Sequence, residues 1–201
     1  QIMRRLLDGE KLDFDGEYYR TDRAKLYSPP LGKVPIWLAA GGPKSSAQAA
    51  RLADGIITSE KDPAVTRERV IEPAADAAEE AQRPRLPILA SRWSVRAESD
   101  DEAWQALSAW RGLRAPGRLE AVDPADLRRR ADAMDPSEIL SRYSLVSTAA
   151  DYVEVYRPLV EDLDADVVTI QTTTLDQEGT IALLGTEVLP DLRALSGRLS
   201  S

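Results

Sequence analysis

The hydrophobic and polar positions divide this chain into short apolar runs separated by amphipathic stripes. Residues 34–40 (VPIWLAA) are apolar, with β-branched and aromatic members, and are closed by Gly41-Gly42-Pro43, which predicts a fully buried strand. An Ala-rich stretch follows to Ala53, with Ser45 or Ser46 placed to cap it, and predicts a helix. Gly55-Ile56-Ile57-Thr58 then reads as a second strand, completing a βαβ unit of a parallel sheet. Pro63 opens a helix to about Gln82, with Val65, Val70, Ile71, Ala74 and Ala78 inward and a bend at Pro73. Residues 88–95 predict a third strand, and Glu98-Ser99-Asp100-Asp101 a helix entry whose buried stripe is Trp104, Leu107 and Trp110. Residues 136–145 predict one more helical turn. Ser147-Thr148 caps a helix through Tyr152, Val155, Tyr156, Leu159 and Leu163. Residues 166–174 (DVVTIQTTT) are the fourth strand, and residues 180–195 the last amphipathic helix, with Pro190 near its end.

Two stretches depart from this rhythm. At the start, Ile2, Met3, Leu6 and Leu7 stand at helical spacing up to Asp8-Gly9, and residues 11–27 read as a hairpin turning at Asp15-Gly16. Phe14, Tyr18, Tyr19 and Tyr27 are there to cover neighbouring apolar surface. Residues 111–146 form an inserted loop and helix region, with a short helix from Asp123, longer than a βα connection needs; such segments usually cover a site. Arg128-Arg129-Arg130 within it points three ways around a helix and reads as a solvated face.

Four strand–helix repeats allow an open doubly wound sheet or a (β/α)8 barrel. The leading helix without a partner, and the absence of an initiator Met at Gln1, favour the second half of a TIM barrel, with the chain beginning partway through a longer one. The Gly41-Gly42 turn at a helix start serves either as a tight βα turn or as a cradle for an anion, since unpaired amides and a partial positive charge meet there.

Composition narrows the chemistry. The 26 Lys and Arg against 34 Asp and Glu give a net charge of -8, which argues against a nucleic-acid or anionic-membrane surface. No apolar run approaches the roughly 18 residues a membrane span needs. The chain has no Cys, hence no disulfide or thiolate metal site, which fits a reducing, cytoplasmic setting. It has no His either, so acid–base work would rest on carboxylates, Lys, Arg or Tyr, or on residues elsewhere. Neither a metal site nor a catalytic residue is assigned.

DFDGEYYR, AAGGPKSSAQAARLADG, TSEK, AVDPADLRRRADAM and SRYSLVS, in that order, resemble the C-terminal half of the luciferase-like monooxygenase superfamily, nearest to the coenzyme F420-dependent glucose-6-phosphate dehydrogenase group. The resemblance runs over residues 1–201 and implies one luciferase-like TIM-barrel domain whose N-terminal half lies outside the chain. It implies that Gly41, Gly42, Lys44 and Ser45 hold the phosphate and tail of F420, or of FMN in monooxygenase relatives. It also implies that Thr58, Lys61, Arg118 and Arg142 bind a sugar phosphate. Converging cations suit a dianion, because charge-assisted hydrogen bonds to phosphate are strong and Arg binds in a bidentate manner.

The sequence departs from that group at Leu119, where the family has a substrate-side His, and at Arg118, where it has Lys. The family's acid–base His and Glu fall in the other half, so Glu60, Asp62 or Asp176 would be the stand-in bases. The implied activity is hydride transfer from a sugar phosphate or alcohol to the deazaflavin, with a homodimer as the parent assembly. A non-catalytic half-barrel that assembles with a partner is the alternative.

Overall fold

The computed structural model describes residues 1–59 and 62–196, which fall into two compact units, one of residues 1–37 and one that begins at Leu38. The first holds α1 (Ile2–Leu7) and a hairpin of β1 (Leu12–Asp15) and β2 (Arg20–Ala24), paired antiparallel with Phe14 opposite Thr21. The Gly16 N–H donates to the Tyr19 carbonyl at the hairpin end. A Cβ on Gly16 would come within 2.5 Å of the Phe14 ring, so the turn requires glycine. Tyr18, Tyr19 and Tyr27 do not cover apolar surface as expected; they are exposed. Turn geometry is local, whereas aromatic docking needs a surface that a short hairpin does not supply.

The second unit is built from β3 (Trp37–Ala39), α2 (Pro43–Leu52), β4 (Gly55–Thr58), α3 (Pro63–Thr66), α4 (Glu72–Glu80), β5 (Ile88–Arg96) and α5 (Asp100–Ala106). After 3-10 turns at Leu107–Ala109 and Arg111–Arg114 come α6 (Pro124–Asp132), α7 (Pro136–Leu140), β6 (Ser144–Val146), α8 (Ala149–Glu161), β7 (Val167–Thr173), α9 (Gln177–Leu183) and α10 (Leu189–Leu195). Strand β5 is the axis of a five-stranded sheet. Its first residues pair parallel with β4 (Ile56 opposite Ile88), its last with β6 (Val95 opposite Leu145), and its whole length with β7 (Trp93 opposite Gln171).

Strand β6 is a correction: a helical turn is expected over residues 136–145, but helix α7 stops at Leu140 and Ser144-Leu145-Val146 adds to the end of β5. Three residues carry too little periodicity to be read as a strand, and the free edge of β5 decides their conformation. β3 is likewise shorter and less buried than expected, with Trp37 and Leu38 half-buried and Val34 exposed, because it lies at an edge of the sheet.

The bend expected at Pro73 is a π turn, Arg67–Ile71, in which the Glu72 N–H reaches back to the Arg67 carbonyl. A second π turn, Leu184–Val188, precedes Pro190 in the same way. In both, the wider turn makes room for a ring that would clash in a regular helix. α8 opens with a capping box in which Thr148 and Asp151 satisfy each other's backbone. The Asp151 carboxylate, accepting from the Ser147 and Thr148 amides, is held down at about 2.

Three apolar clusters hold the unit together. Small residues let α2 and α4 approach closely, with Ala49, Ala50, Ala74, Ala77 and Ala78 buried around Ile56 and Val70. Tyr152, Tyr156 and Leu159 of α8 pack with Val188 and Leu192 against the sheet. Leu107, Ala131, Ile139, Leu140 and Tyr143 form a third cluster under the 111–146 segment. The arginine triplet is a surface feature, with Arg129 and Arg130 both paired to Asp126.

Candidate functional site

The ends of β3 and β4 meet the start of α2. The Ala40 N–H donates to the Ile57 carbonyl at 2.9 Å, fixing the edge of the sheet just before Gly41. Gly42 is the N-cap residue, extended at φ -163 and ψ 168, and Pro43 is the first helical residue. Neither serine caps the helix as expected. Ser45 Oγ and Ser46 Oγ both donate to the Gly42 carbonyl, at 2.9 and 2.8 Å, because the helix starts two residues earlier at Pro43. Among the described residues no side chain therefore satisfies the first amides of this ten-residue helix, and the N–H groups of Lys44 and Ser45 remain for a ligand. At Gly41 a Cβ would meet nothing within 4 Å, so this turn is open on its ligand side.

Gly41 lines a cavity of about 420 Å³ together with Thr58, Ser59, Arg69, Ser91 and Gln171. Arg69 Nη2 lies 3.7 Å from where a Cβ of Gly42 would stand, which brings a guanidinium beside the glycine turn. Thr58 is buried, and its Oγ1 finds no hydrogen-bond partner among the described residues. A buried hydroxyl without a partner is costly, which marks it as a group awaiting a ligand. Replacing Thr58 with Val is accordingly expected to leave stability unchanged or raise it by up to about 1 kcal/mol, read from urea midpoints. A clear loss would mean that the protein itself satisfies the hydroxyl.

The remaining predicted residues are dispersed. Lys44 is exposed on the first turn of α2, and Lys61 lies outside the described residues, as does Glu60. Arg118 is exposed and Arg142 donates to the Arg114 carbonyl; neither lines the cavity that holds Gly41 and Thr58. Asp62 and Asp176 are helix N-caps, accepting from Ala64 and Gly179, which occupies them structurally. Among the described residues, no cluster of three or more Asp or Glu could hold a metal ion.

A larger cleft of about 680 Å³ adjoins the first, with Gln171 lining both. Ser91 and Trp93, two apart on β5, share one face of the strand; Ser91 lines the first cavity and Trp93 the second. Trp93 Nε1 donates to Thr173 Oγ1 at 2.8 Å, and its ring meets Trp110 edge-on at 5.8 Å. Leu113 brings the 111–146 segment to this wall, next to Trp110, which immediately precedes the segment. Trp110 is thus not part of a buried stripe; it is 48% exposed. Sequence reasoning missed Arg69, Trp93 and Gln171. The alternation of Ser91 and Trp93 was the available signal for one of them, whereas nothing local distinguishes Arg69 from its solvated neighbours.

The luciferase-like monooxygenase family model matches residues 1–165. A relative from Nakamurella multipartita named F420-dependent glucose-6-phosphate dehydrogenase is 33% identical over 98% of this chain and 59% of its own length. One of the same name from Nocardia farcinica is 31% identical, over 98% and 60%. The chain therefore spans about 60% of the length of these relatives. Among solved structures, an F420-dependent secondary alcohol dehydrogenase in complex with an F420-acetone adduct superposes with a TM-score of 0.80 at 23% identity, covering 96% of this chain and 59% of that one. The F420-dependent tetrahydromethanopterin reductase of Methanopyrus kandleri gives 0.69 at 20% identity, over 95% and 61%. These neighbours share the parallel sheet and flanking helices described above, and the extended match of the family model shows that the chain belongs to the luciferase-like monooxygenase family.

Proposed function

We propose that this chain carries the coenzyme-phosphate and substrate-binding part of an F420-dependent oxidoreductase. The observation that carries the reading is the open Gly41-Gly42 turn: it leads into uncapped amides at Lys44 and Ser45 and lines one cavity with the unpartnered Thr58 hydroxyl and Arg69. The glycine turn, its amides and Arg69 fit an anionic coenzyme tail, and Thr58 lies beside them on the substrate side of the assignment. The likeness to relatives named F420-dependent glucose-6-phosphate dehydrogenase supports F420 as that coenzyme.

Gly41, Gly42, Lys44 and Ser45 would hold the phosphate, and Thr58, Lys61, Arg118 and Arg142 would bind the substrate, a sugar phosphate or a related alcohol. When bound, the deazaflavin supplies the acceptor for the hydride leaving the carbinol carbon. The hydroxyl proton needs a base, and we assign none within this chain, since Asp62 and Asp176 already cap helices. Segment 111–146 would cover the site through Leu113, beside Trp110. The family resemblance supports a cytoplasmic homodimer, which sedimentation would read as two copies of the parent chain.

Titration of the chain with F420, followed by the coenzyme's fluorescence, tests the reading. Saturable binding is expected, weakened about tenfold or more when Lys44 and Ser45 are both replaced by Ala, which removes the Lys44 ammonium and the Ser45 hydroxyl while leaving the backbone amides in place. A chain folded by circular dichroism that binds no F420 would overturn the assignment.

A further inference from the structure

The turn of residues 110–117 is clasped by side chains from later in the chain, which bind its backbone carbonyls. Arg142, just after α7, donates to the Arg114 carbonyl. Arg130 of α6 donates to the Pro116 and Gly117 carbonyls, at 3.3 Å each, and Asp126 one turn earlier holds its guanidinium in place. The Tyr143 hydroxyl reaches the Trp110 carbonyl at 3.4 Å. Carbonyls at and beyond the end of a short helical turn lack partners of their own, and cationic side chains are well suited to supply them. Gly117 belongs to the same arrangement. It turns left-handed at φ 67, and a Cβ there would stand 2.5 Å from Arg130 Nη1.

This clasp works against a cost. The Arg114 Cζ lies 5.1 Å from the centroid of the Tyr143 ring and 5.9 Å from that of Trp93, and its Nε is buried without a hydrogen-bond partner among the described residues. Ring faces return part of the hydration that a guanidinium loses, but not the hydrogen bond of a buried N–H. Packing adds little to hold the turn down. Trp110 and Leu113 are 48% and 43% exposed, and of the side chains in the turn Ala115 alone is buried. Its position therefore depends on exposed guanidinium–carbonyl bonds more than on apolar contact, and it carries Trp110 and Leu113 to the wall of the larger cleft.

We propose that residues 110–117 are a strap over the cleft, which Arg142 and Arg130 latch shut and which opens as a unit when the latch is released. Opening hydrates Arg114 and uncovers Trp93, whereas closing restores the bonds to the three carbonyls; the opposition of the two gives the strap a second accessible position. Arg142 and Arg130 are positioning residues in this device, since they act through the strap. The strap works in the same way whichever coenzyme or substrate the neighbouring cavities take.

Hydrogen exchange of the full 201-residue chain without ligand tests this. The amides of Trp110, Leu113 and Ala115, which donate to the carbonyls of Leu107, Trp110 and Gly112, report on the strap. They are expected to exchange about tenfold or more faster in Arg142→Met, which keeps the side-chain stem and removes the donors, with Arg142→Lys in between. Amides of β5 and the urea midpoint are expected to stay at their wild-type values, because Arg142 is exposed. Acrylamide quenching of tryptophan fluorescence should rise in parallel as Trp93 loses its cover. Arg130→Met is expected to act in the same direction, and it decides the matter should Arg142→Met fail to fold by circular dichroism. With no ligand present, loss of a substrate contact at Arg142 cannot produce these changes. Strap exchange unchanged in both variants, protection lost equally along β5, or faster strap exchange with unchanged quenching would each overturn the inference.

Discussion

Replacing Tyr156 with Ala is expected to destabilise the second unit by about 3–5 kcal/mol, the range for deleting a large aromatic side chain from a core. Tyr156 is fully buried on α8, nearly parallel to Tyr152 at 6.3 Å, and packed among the residues that seat α8 and α10 on the sheet. Its hydroxyl donates to the Arg92 carbonyl at 2.6 Å and lies 3.1 Å from Ser94 Oγ. The truncation therefore leaves both a cavity and buried acceptors without their donor. Tyr156→Phe keeps the ring and removes only the hydroxyl, for which a loss of about 1–3 kcal/mol is expected. Denaturant midpoints of the two variants separate packing from hydrogen bonding, and an Ala variant as stable as the Phe variant would mean that α8 does not pack as described.

Because Arg92 and Ser94 alternate with Ser91 and Trp93 along β5, Tyr156 braces from behind the face that lines both cavities. A loss of ligand affinity is expected to accompany the loss of stability.

Alkaline solution is expected to unfold the protein through the same residue. Burial pushes the Tyr156 phenol up to about 12, against the ordinary 10.0. Below pH 10 the phenol is neutral in both folded and unfolded chains, and its contribution to stability is fully present. Between pH 10 and 12 the unfolded chain ionises while the folded one does not, so stability falls by about 1.4 kcal/mol per pH unit, to a loss of about 2–3 kcal/mol at pH 12. Burial also raises Tyr143 and Tyr152, which adds in the same direction. Urea midpoints collected across this window should fall steeply in the wild type and less steeply in Tyr156→Phe. Equal slopes would show that Tyr156 ionises as readily folded as unfolded.

The local elements were legible wherever a few neighbouring residues decide the conformation. Apolar runs at Ile56-Ile57 and Ile88-Leu89 are strands, Thr148 with Asp151 is a helix cap, and Gly41-Gly42-Pro43 is a βα turn with free amides, all readable from propensity and capping chemistry. The resemblance gave Gly41 to a coenzyme and Thr58 to a substrate, whereas the edge of the sheet brings the two residues to one cavity. The resemblance that supplied Arg118 and Arg142 gave no information on which surface their side chains would meet.

What only the tertiary structure decided depends on partners distant in sequence. Ser144-Leu145-Val146 becomes a strand because β5 offers an unpaired edge fifty residues earlier in the chain, from Ser94 to Arg96. Arg69 lines the cavity beside Gly41 from within a π turn, whose departure from regular helical spacing the periodicity of the sequence does not encode. Gln171 links the two cavities because β7 pairs with β5 in a register that sets it opposite Trp93. Propensity and periodicity are properties of neighbours along the chain, whereas register, edge pairing and the face a side chain presents are settled only when separate segments compete to bury the same apolar surface.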